Sequence, residues 1–250
     1  MKIFITGVSS GIGKTLTTEL IKLGHEVWGV ARRQEELESL KRNLNSTHLY
    51  LSRCDIESLD DMKNVTGEMK NKNFLPDIIV LNAAVHLQNP KNNFDLELYR
   101  KSFDINLYGA LFWVKEFLDE FLKRNKGQFI AISSTSAFRH GYGGISYSAS
   151  KAALSLTFRR LRVHFAKTDL KFSTVYFGPI STKLWRGPKI PVIIPSVDRA
   201  AKYIVKIFNK SDGEYYFPFF TTLLSRFSTF LPESLFILFS KHLTDKHGGD

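Results

Sequence analysis

Apolar positions along this chain alternate between short continuous runs and longer stretches with helical spacing. The first run, over 2–6, is apolar and β-branched, and a glycine-rich turn over 7–13 follows it. From 15 to 23 apolar side chains recur at Leu16, Leu20, Ile21 and Leu23, which predicts a helix that Gly24 closes as a C-terminal cap. Further strands are predicted over 25–31, 48–54, 78–81, 128–133, 171–176 and 214–217. Helices are predicted over 35–43, 59–72, 147–166 and 197–209, with a long helical stretch over 96–124 broken near Asn106 and Gly109. The uninterrupted apolar run over 78–81 is that of a strand buried on both faces. Strand and helix alternate without a repeat or a linker, so the expected architecture is α/β: a single doubly wound domain, its parallel sheet covered by helices on both faces.

Composition narrows this only in places. At 250 residues and 43% hydrophobic, the chain is long enough for one large buried core. The lone Cys54 excludes an intramolecular disulfide and a Cys-rich zinc site, and no metal is expected. The N-terminus reaches Gly7 without a long apolar stretch, so a cytoplasmic protein is expected. The net charge of +11 changes the picture more, because ten basic residues face only two acidic ones between 128 and 198. That excess reads as a solvated face, or as a surface for an anionic membrane, an acidic carrier or a phosphorylated substrate. No nucleic-acid motif accompanies it, so nucleic acid is not expected.

Candidate chemistry begins at the turn Thr6-Gly7-Val8-Ser9-Ser10-Gly11-Ile12-Gly13, set between the first strand and the first helix. Glycines there permit a tight turn and bring backbone N–H groups close to a pyrophosphate at a positive helix end; the plain alternative is a simple strand–helix turn. The second strand ends in Val30-Ala31-Arg32-Arg33, with two guanidiniums where an acid would bind a ribose 2′-hydroxyl. Unless they are merely solvated, Arg32 and Arg33 predict pairing with a 2′-phosphate, hence NADP(H) over NAD(H). Farther on, Tyr147 and Lys151 stand four apart at the start of a helix, on one face. An ammonium so placed is expected to lower the phenol pKa, fitting Tyr147 to pass a proton to or from a carbonyl oxygen, and Ser134 ends the strand before it.

Taken together, these pieces resemble the short-chain dehydrogenase/reductase family over essentially residues 1–217. The matching residues are Thr6-Gly7, Gly11-Ile12-Gly13, Cys54-Asp55-Ile56, Asn82-Ala83-Ala84, Asn106, Ser134, Tyr147, Lys151 and Gly178-Pro179-Ile180-Ser181-Thr182. The resemblance implies a Rossmann-type domain and an oxidoreductase that moves hydride between nicotinamide and a ketone or secondary alcohol. It makes Tyr147 the proton donor and Ser134 the holder of the substrate oxygen. Lys151 then binds the nicotinamide ribose, and Asn106 anchors a water of a proton relay. Likewise, Asp55 and Ile56 face the adenine, Asn82 the adenosine ribose, and Ile180 and Thr182 the carboxamide. Ser9, Ser10, Ala83, Ala84 and Gly178 complete the cofactor set. Bland readings stay open: Asp55 as a helix cap, Asn82 and Asn106 as partners of buried backbone. Alanine at 83–84 and Phe177 depart from the usual glycine and proline of the family.

The region beyond is less specific. The family places a substrate loop at about 181–195, where Leu184, Trp185, Ile190, Val192, Ile193 and Ile194 mingle with Lys183, Arg186 and Lys189. The segment 218–250 is Phe-rich but interrupted at Pro218, Arg226, Pro232 and Glu233, so it is too broken to span a membrane. It reads as a lid, a dimer contact or a pair of amphipathic helices in a membrane interface. A hydrophobic, lipid-like or acyl substrate follows from both segments. A homodimer or homotetramer is expected, although Arg159, Arg160 and Arg162 would repel a symmetric partner unless they point outward. Two other readings remain: a non-catalytic NADP(H)-binding regulator, and a peripheral membrane protein.

Overall fold

The computed structural model describes residues 1–88, 93–138, 144–182, 194–208 and 210–237. Buried backbone must pair its N–H and C=O groups, and the apolar runs do so as parallel strands. These are β1 (Lys2–Thr6), β2 (Glu26–Ala31), β3 (Leu49–Arg53), β4 (Ile78–Leu81), β5 (Gly127–Ser134), β6 (Leu170–Phe177) and β7 (Glu214–Phe217). They lie in the order β3-β2-β1-β4-β5-β6-β7, with Ile3 beside Val27 on one flank and beside Ile78 on the other. The chain reverses its direction of travel between β1 and β4, so a crevice opens at their carboxyl ends.

Helices α1 (Gly11–Lys22), α2 (Gln34–Leu44), α3 (Leu59–Asn71), α4 (Leu96–Phe103), α5 (Gly109–Arg124), α6 (Ile145–His164) and α7 (Val197–Val205) fill the connections. Strand alternation sorts the core into two layers. Ile3, Ile5, Ile130 and Ile132 meet α1, α2 and α7, whereas Phe4, Trp28, Phe129 and Phe172 meet α3, α5 and α6. Seven phenylalanines are buried in the second layer and Phe177 and Phe208 in the first, so at least nine of the chain's 21 serve as core.

Three differences from the sequence reading bear on function. Helix α1 starts at Gly11 instead of 15, which puts two of the turn's glycines in its first turn. The helical stretch over 96–124 is not broken: α4 and α5 are joined by a π turn, Asp104–Tyr108, whose wider winding carries Asn106 inward to 1% exposure. Arg159 and Arg162 are engaged within the chain: Arg159 donates to Glu214 at 2.9 Å and Arg162 to the carbonyls of Phe172 and Gly213.

After β7 the chain forms α8 (Phe219–Phe227) and a 3₁₀ turn, Ser228–Phe230. No helix among the described residues is long and apolar enough to cross a membrane. Residues 183–193, most of the expected substrate loop, and 238–250 lie outside the described residues.

Candidate active site

The crevice is a cleft of about 880 Å³ that runs from β2 across β1 and β4 to α6 and α8. At its first end the glycine turn is shaped by contacts that leave no room for side chains. Gly7 and Gly11 have φ of 78° and 55°, a region that favours glycine. A Cβ on Gly13 would sit 2.2 Å from the Gly7 carbonyl oxygen and 2.6 Å from Asn82 Nδ2. Asn82 donates that amide to the carbonyls of Thr6 and Gly7, at 3.0 and 3.2 Å, while Thr6 Oγ1 accepts the backbone N–H of Asn82 and of Ala83. Asn82 therefore ties β4 to the turn, the backbone-satisfying role left open for it, and it also lines the cleft. Ser10 is the N-cap of α1 and makes no side-chain capping bond, so the helix presents its first N–H groups at the cleft.

Arg33 crosses this end and donates from Nη2 to Ser9 Oγ at 2.9 Å. Arg32 is more open, 3.9 Å from Asp55 and 4.0 Å from Glu57. Asp55 lines the cleft and accepts the N–H of Glu57; the cap of α3 is Ser58 instead. Ile56 lines the same wall and would lie 2.0 Å from a Cβ on Gly109. Narrow glycines, exposed helix N–H groups and paired guanidiniums make a donor set that fits a dinucleotide carrying phosphate at its adenosine end.

The other end gathers Ser134, Tyr147 and Lys151. Tyr147 is 9% exposed and shares a hydrogen bond with Ser134. Burial raises its phenol pKa, with the Ser134 bond pulling the other way. This corrects the expected lowering by Lys151: the Lys151 ammonium lies 6.0 Å from the Tyr147 ring centre and donates to the Ile132 carbonyl at 2.7 Å. Burial pushes Lys151 itself down to about 8. Asn106 stands behind this group and does not line the cleft. Its Oδ1 accepts Val85 N–H at 2.8 Å, and its Nδ2 donates to the Val85 carbonyl and to Ser150 Oγ. Ser150 in turn donates to the Tyr147 carbonyl at 2.8 Å, so one asparagine clamps the loop after β4 to α6.

Of the residues expected in the site, Gly7, Ser9, Ser10, Gly11, Ile12, Arg32, Arg33, Asp55, Ile56, Asn82, Ala83 and Ala84 line the cleft, as do Ser134, Tyr147, Lys151, Gly178, Ile180 and Thr182. Gly13 and Asn106 support it from behind. The sequence reading missed His86, whose ring centre lies 4.6 Å from that of Tyr147, and Ser225 of α8. A lone histidine in a loop has no spacing partner to announce it; its only signal was its place four residues beyond Asn82.

A family model described as short chain dehydrogenase matches residues 1–189. The 11-beta-hydroxysteroid dehydrogenase A of Sesamum indicum is 31% identical over 189 residues, 74% of this chain and 54% of that protein. An NADP-dependent 3-hydroxy acid dehydrogenase of Escherichia coli is 28% identical over 179 residues, covering 71% of this chain and 72% of its own. A short-chain dehydrogenase from Streptomyces avermitilis superposes with a TM-score of 0.81 at 20% identity, covering 100% of this chain and 98% of its own, which shows the shared fold. With its nucleotide cradle and its Ser134–Tyr147–Lys151 group in one cleft, the chain belongs to the short-chain dehydrogenase family of oxidoreductases that act on alcohol or carbonyl groups.

Proposed function

We propose that this protein is an NADPH-dependent carbonyl reductase that interconverts a hydrophobic ketone and its secondary alcohol. The observation that carries this is the pairing of Tyr147 with Ser134 at one end of the cleft whose other end holds Arg33 on Ser9. Bound there, NADPH supplies the hydride. The rest is the work of the chain. Ser134 holds the carbonyl oxygen beside Tyr147, and the phenol, kept protonated by burial, gives its proton to that oxygen as negative charge develops. Lys151, released from the Ile132 carbonyl, is the cation that steadies the tyrosinate left behind. Arg32 and Arg33, with no acid at the end of β2, favour a 2′-phosphate, and the Escherichia coli relative is itself named as NADP-dependent. Ile132, Phe177 and Ile180 line the cleft and favour an apolar tail on the substrate.

Purified protein assayed with NADPH and NADH on a panel of aliphatic and aromatic ketones tests this reading. NADPH is expected to be preferred by at least about tenfold in kcat/KM, the worth of one charge-assisted phosphate contact. Cofactor binding without turnover on any ketone would instead support a non-catalytic regulator.

A second property rests on a separate observation. The C-terminal segment leaves Phe220 and Phe230 83% and 81% exposed, with Phe219, Leu224 and Phe227 also open. So contiguous an apolar face on a chain of net charge +11 suits the surface of an anionic bilayer. Co-sedimentation with vesicles rich in phosphatidylserine should be lost in Phe220→Glu/Phe230→Glu. Equal sedimentation of the two proteins rules this contact out.

A further inference from the structure

The turn that presents Ser134 is held from the C-terminal part of the chain. Ser134 is the N-cap of a 3₁₀ turn, Thr135–Ala137, and its hydroxyl accepts the N–H of Ser136 at 3.2 Å while sharing a hydrogen bond with Tyr147. None of the three turn residues is buried, so burial in the core does not fix the turn. It packs instead against α6 and α8. Phe138, the residue that follows it, lies 4.6 Å from Tyr176 and 6.3 Å from Tyr216 between ring centres. Arg226 of α8 completes this group. Its guanidinium lies 5.8 Å from the Phe138 ring centre and 5.6 Å from that of Tyr216, within reach of cation–π attraction. It also donates to the Glu214 carboxylate and to the Tyr216 hydroxyl. Ser225, the residue before it, lines the cleft, so α8 itself reaches the site.

Resting on the reductase reading above, we propose that Arg226 is a positioning residue for the reaction. Docked on Glu214 and over the ring of Phe138, it holds the turn from which Ser134 meets the substrate oxygen. A guanidinium can bond a carboxylate along its edge and attract rings through its face, so one side chain ties α8 and β7 to the end of that turn. Glu214 has a second arginine, Arg159 of α6, at 2.9 Å, which shares the carboxylate; Arg226 adds the contact with Phe138. A small displacement of an aligned group costs far more in rate than in fold stability, and Ser134 is such a group. The C-terminal helix is thereby part of the reaction end, although no residue of it takes part in the proton transfer.

The two arginines on Glu214 separate this from a merely stabilising role. Arg226→Ala and Arg159→Ala each remove one ion pair from the same carboxylate, and the first also removes the hold on Phe138. Both are assayed well below their melting temperatures, with NADPH and the ketone of the panel that the unaltered protein reduces fastest. For Arg226→Ala, kcat at saturating cofactor and ketone is expected to fall at least about tenfold, with the NADPH dissociation constant within about twofold. Arg159→Ala should keep kcat within about twofold, and Arg226→Lys should recover part of the loss. The coupling to Ser134 decides the route. If Arg226 acts through that serine, Ser134→Ala/Arg226→Ala loses no more than Ser134→Ala alone. Should Arg226→Ala fail to fold, shown by lost NADPH binding, Phe138→Leu cuts the same link with the Arg226–Glu214 pair in place, and the same coupling to Ser134→Ala is expected. Undiminished kcat, an equal fall in Arg159→Ala, or losses that multiply with Ser134→Ala each overturn the proposal and leave the reductase reading standing. If the unaltered protein reduces no ketone of the panel, the reductase reading itself fails, and this one with it.

Discussion

The two ends of the cleft are built by different means. The adenosine end is a product of backbone: three glycines, a helix start and the bonds of Thr6 and Asn82, all fixed where β1 and β4 part. The reaction end is assembled from side chains brought by β5, α6, the loop after β4 and α8. Backbone shape tolerates few sequences, whereas side-chain assemblies can be exchanged one residue at a time. The first end therefore determines that a dinucleotide binds, and the second decides what is done with it. If this division holds, damage at one end should leave the other measurably intact.

Tyr147→Phe is the largest such test. Loss of the proton donor should lower kcat by about 10²–10⁴-fold. Stopped-flow or fluorescence titration should find the NADPH dissociation constant unchanged within about twofold, because the phenol belongs to the reaction end; a twofold change is well under 1 kcal/mol. Near-normal turnover would remove Tyr147 from the mechanism. Arg33→Ala is the reverse experiment. Removing the guanidinium that spans the adenosine end should weaken NADPH binding by about 1.5–3 kcal/mol, roughly ten- to a hundredfold, with kcat at saturating cofactor preserved. A fall in kcat instead would mean that the two ends are coupled through the turn.

The same division explains how much was legible beforehand. Gly7, Gly11 and Gly13 are dictated by local geometry, so their spacing pointed to the turn and to the binding of a nucleotide. Tyr147 and Lys151 share a helix face, which spacing also reveals. The tuning between them was not legible, since it depends on burial and on Lys151 turning to the Ile132 carbonyl nineteen residues back in the chain. The π turn read as a break because its extra residue disturbs the helical period while the axis continues. Asn106 thus had its importance foreseen and its partner, Val85, unforeseen. His86 and Ser225 depend wholly on tertiary placement.

Glu214, at the start of β7, offers a test away from the cleft lining. Its carboxylate accepts from Arg159, Tyr176, Tyr216 and Arg226, binding α6, β6, β7 and α8 together, while Arg226 and Phe138 close the cluster. Burial pushes the carboxyl up, yet the bonds from Arg226, Arg159 and Tyr216 outweigh it and hold its pKa at about 2, below the ordinary 4.5. A depressed carboxyl stabilises the fold above its unfolded pKa and loses that contribution as pH falls from about 4.5 to 2. Because both arginines are over a third exposed, the contribution is discounted to about 1–2 kcal/mol. Glu214→Gln should melt lower at neutral pH by about 2–8 °C. Its curve and that of the unaltered protein should converge near pH 2; parallel curves across the acid range would show that the charge plays no part.

The smallest effect separates the two arginines. Arg32 has a side chain 59% exposed and already faces two carboxylates, at 3.9 and 4.0 Å from Asp55 and Glu57. In that setting its attraction for a phosphate is screened by water and partly spent on its neighbours, and exposed pairs of this kind contribute about 0–1 kcal/mol. Arg33 is exposed as well, but it is held on Ser9 Oγ by two of its nitrogens, so its guanidinium is oriented before any ligand arrives. Arg32→Ala should accordingly weaken NADPH by no more than about fivefold, less than Arg33→Ala, and this difference should shrink as salt is raised. Should Arg32→Ala prove the more damaging, the 2′-phosphate sits over the Asp55 side of the cleft, and the adenosine end is arranged around Arg32 with Arg33 as its support.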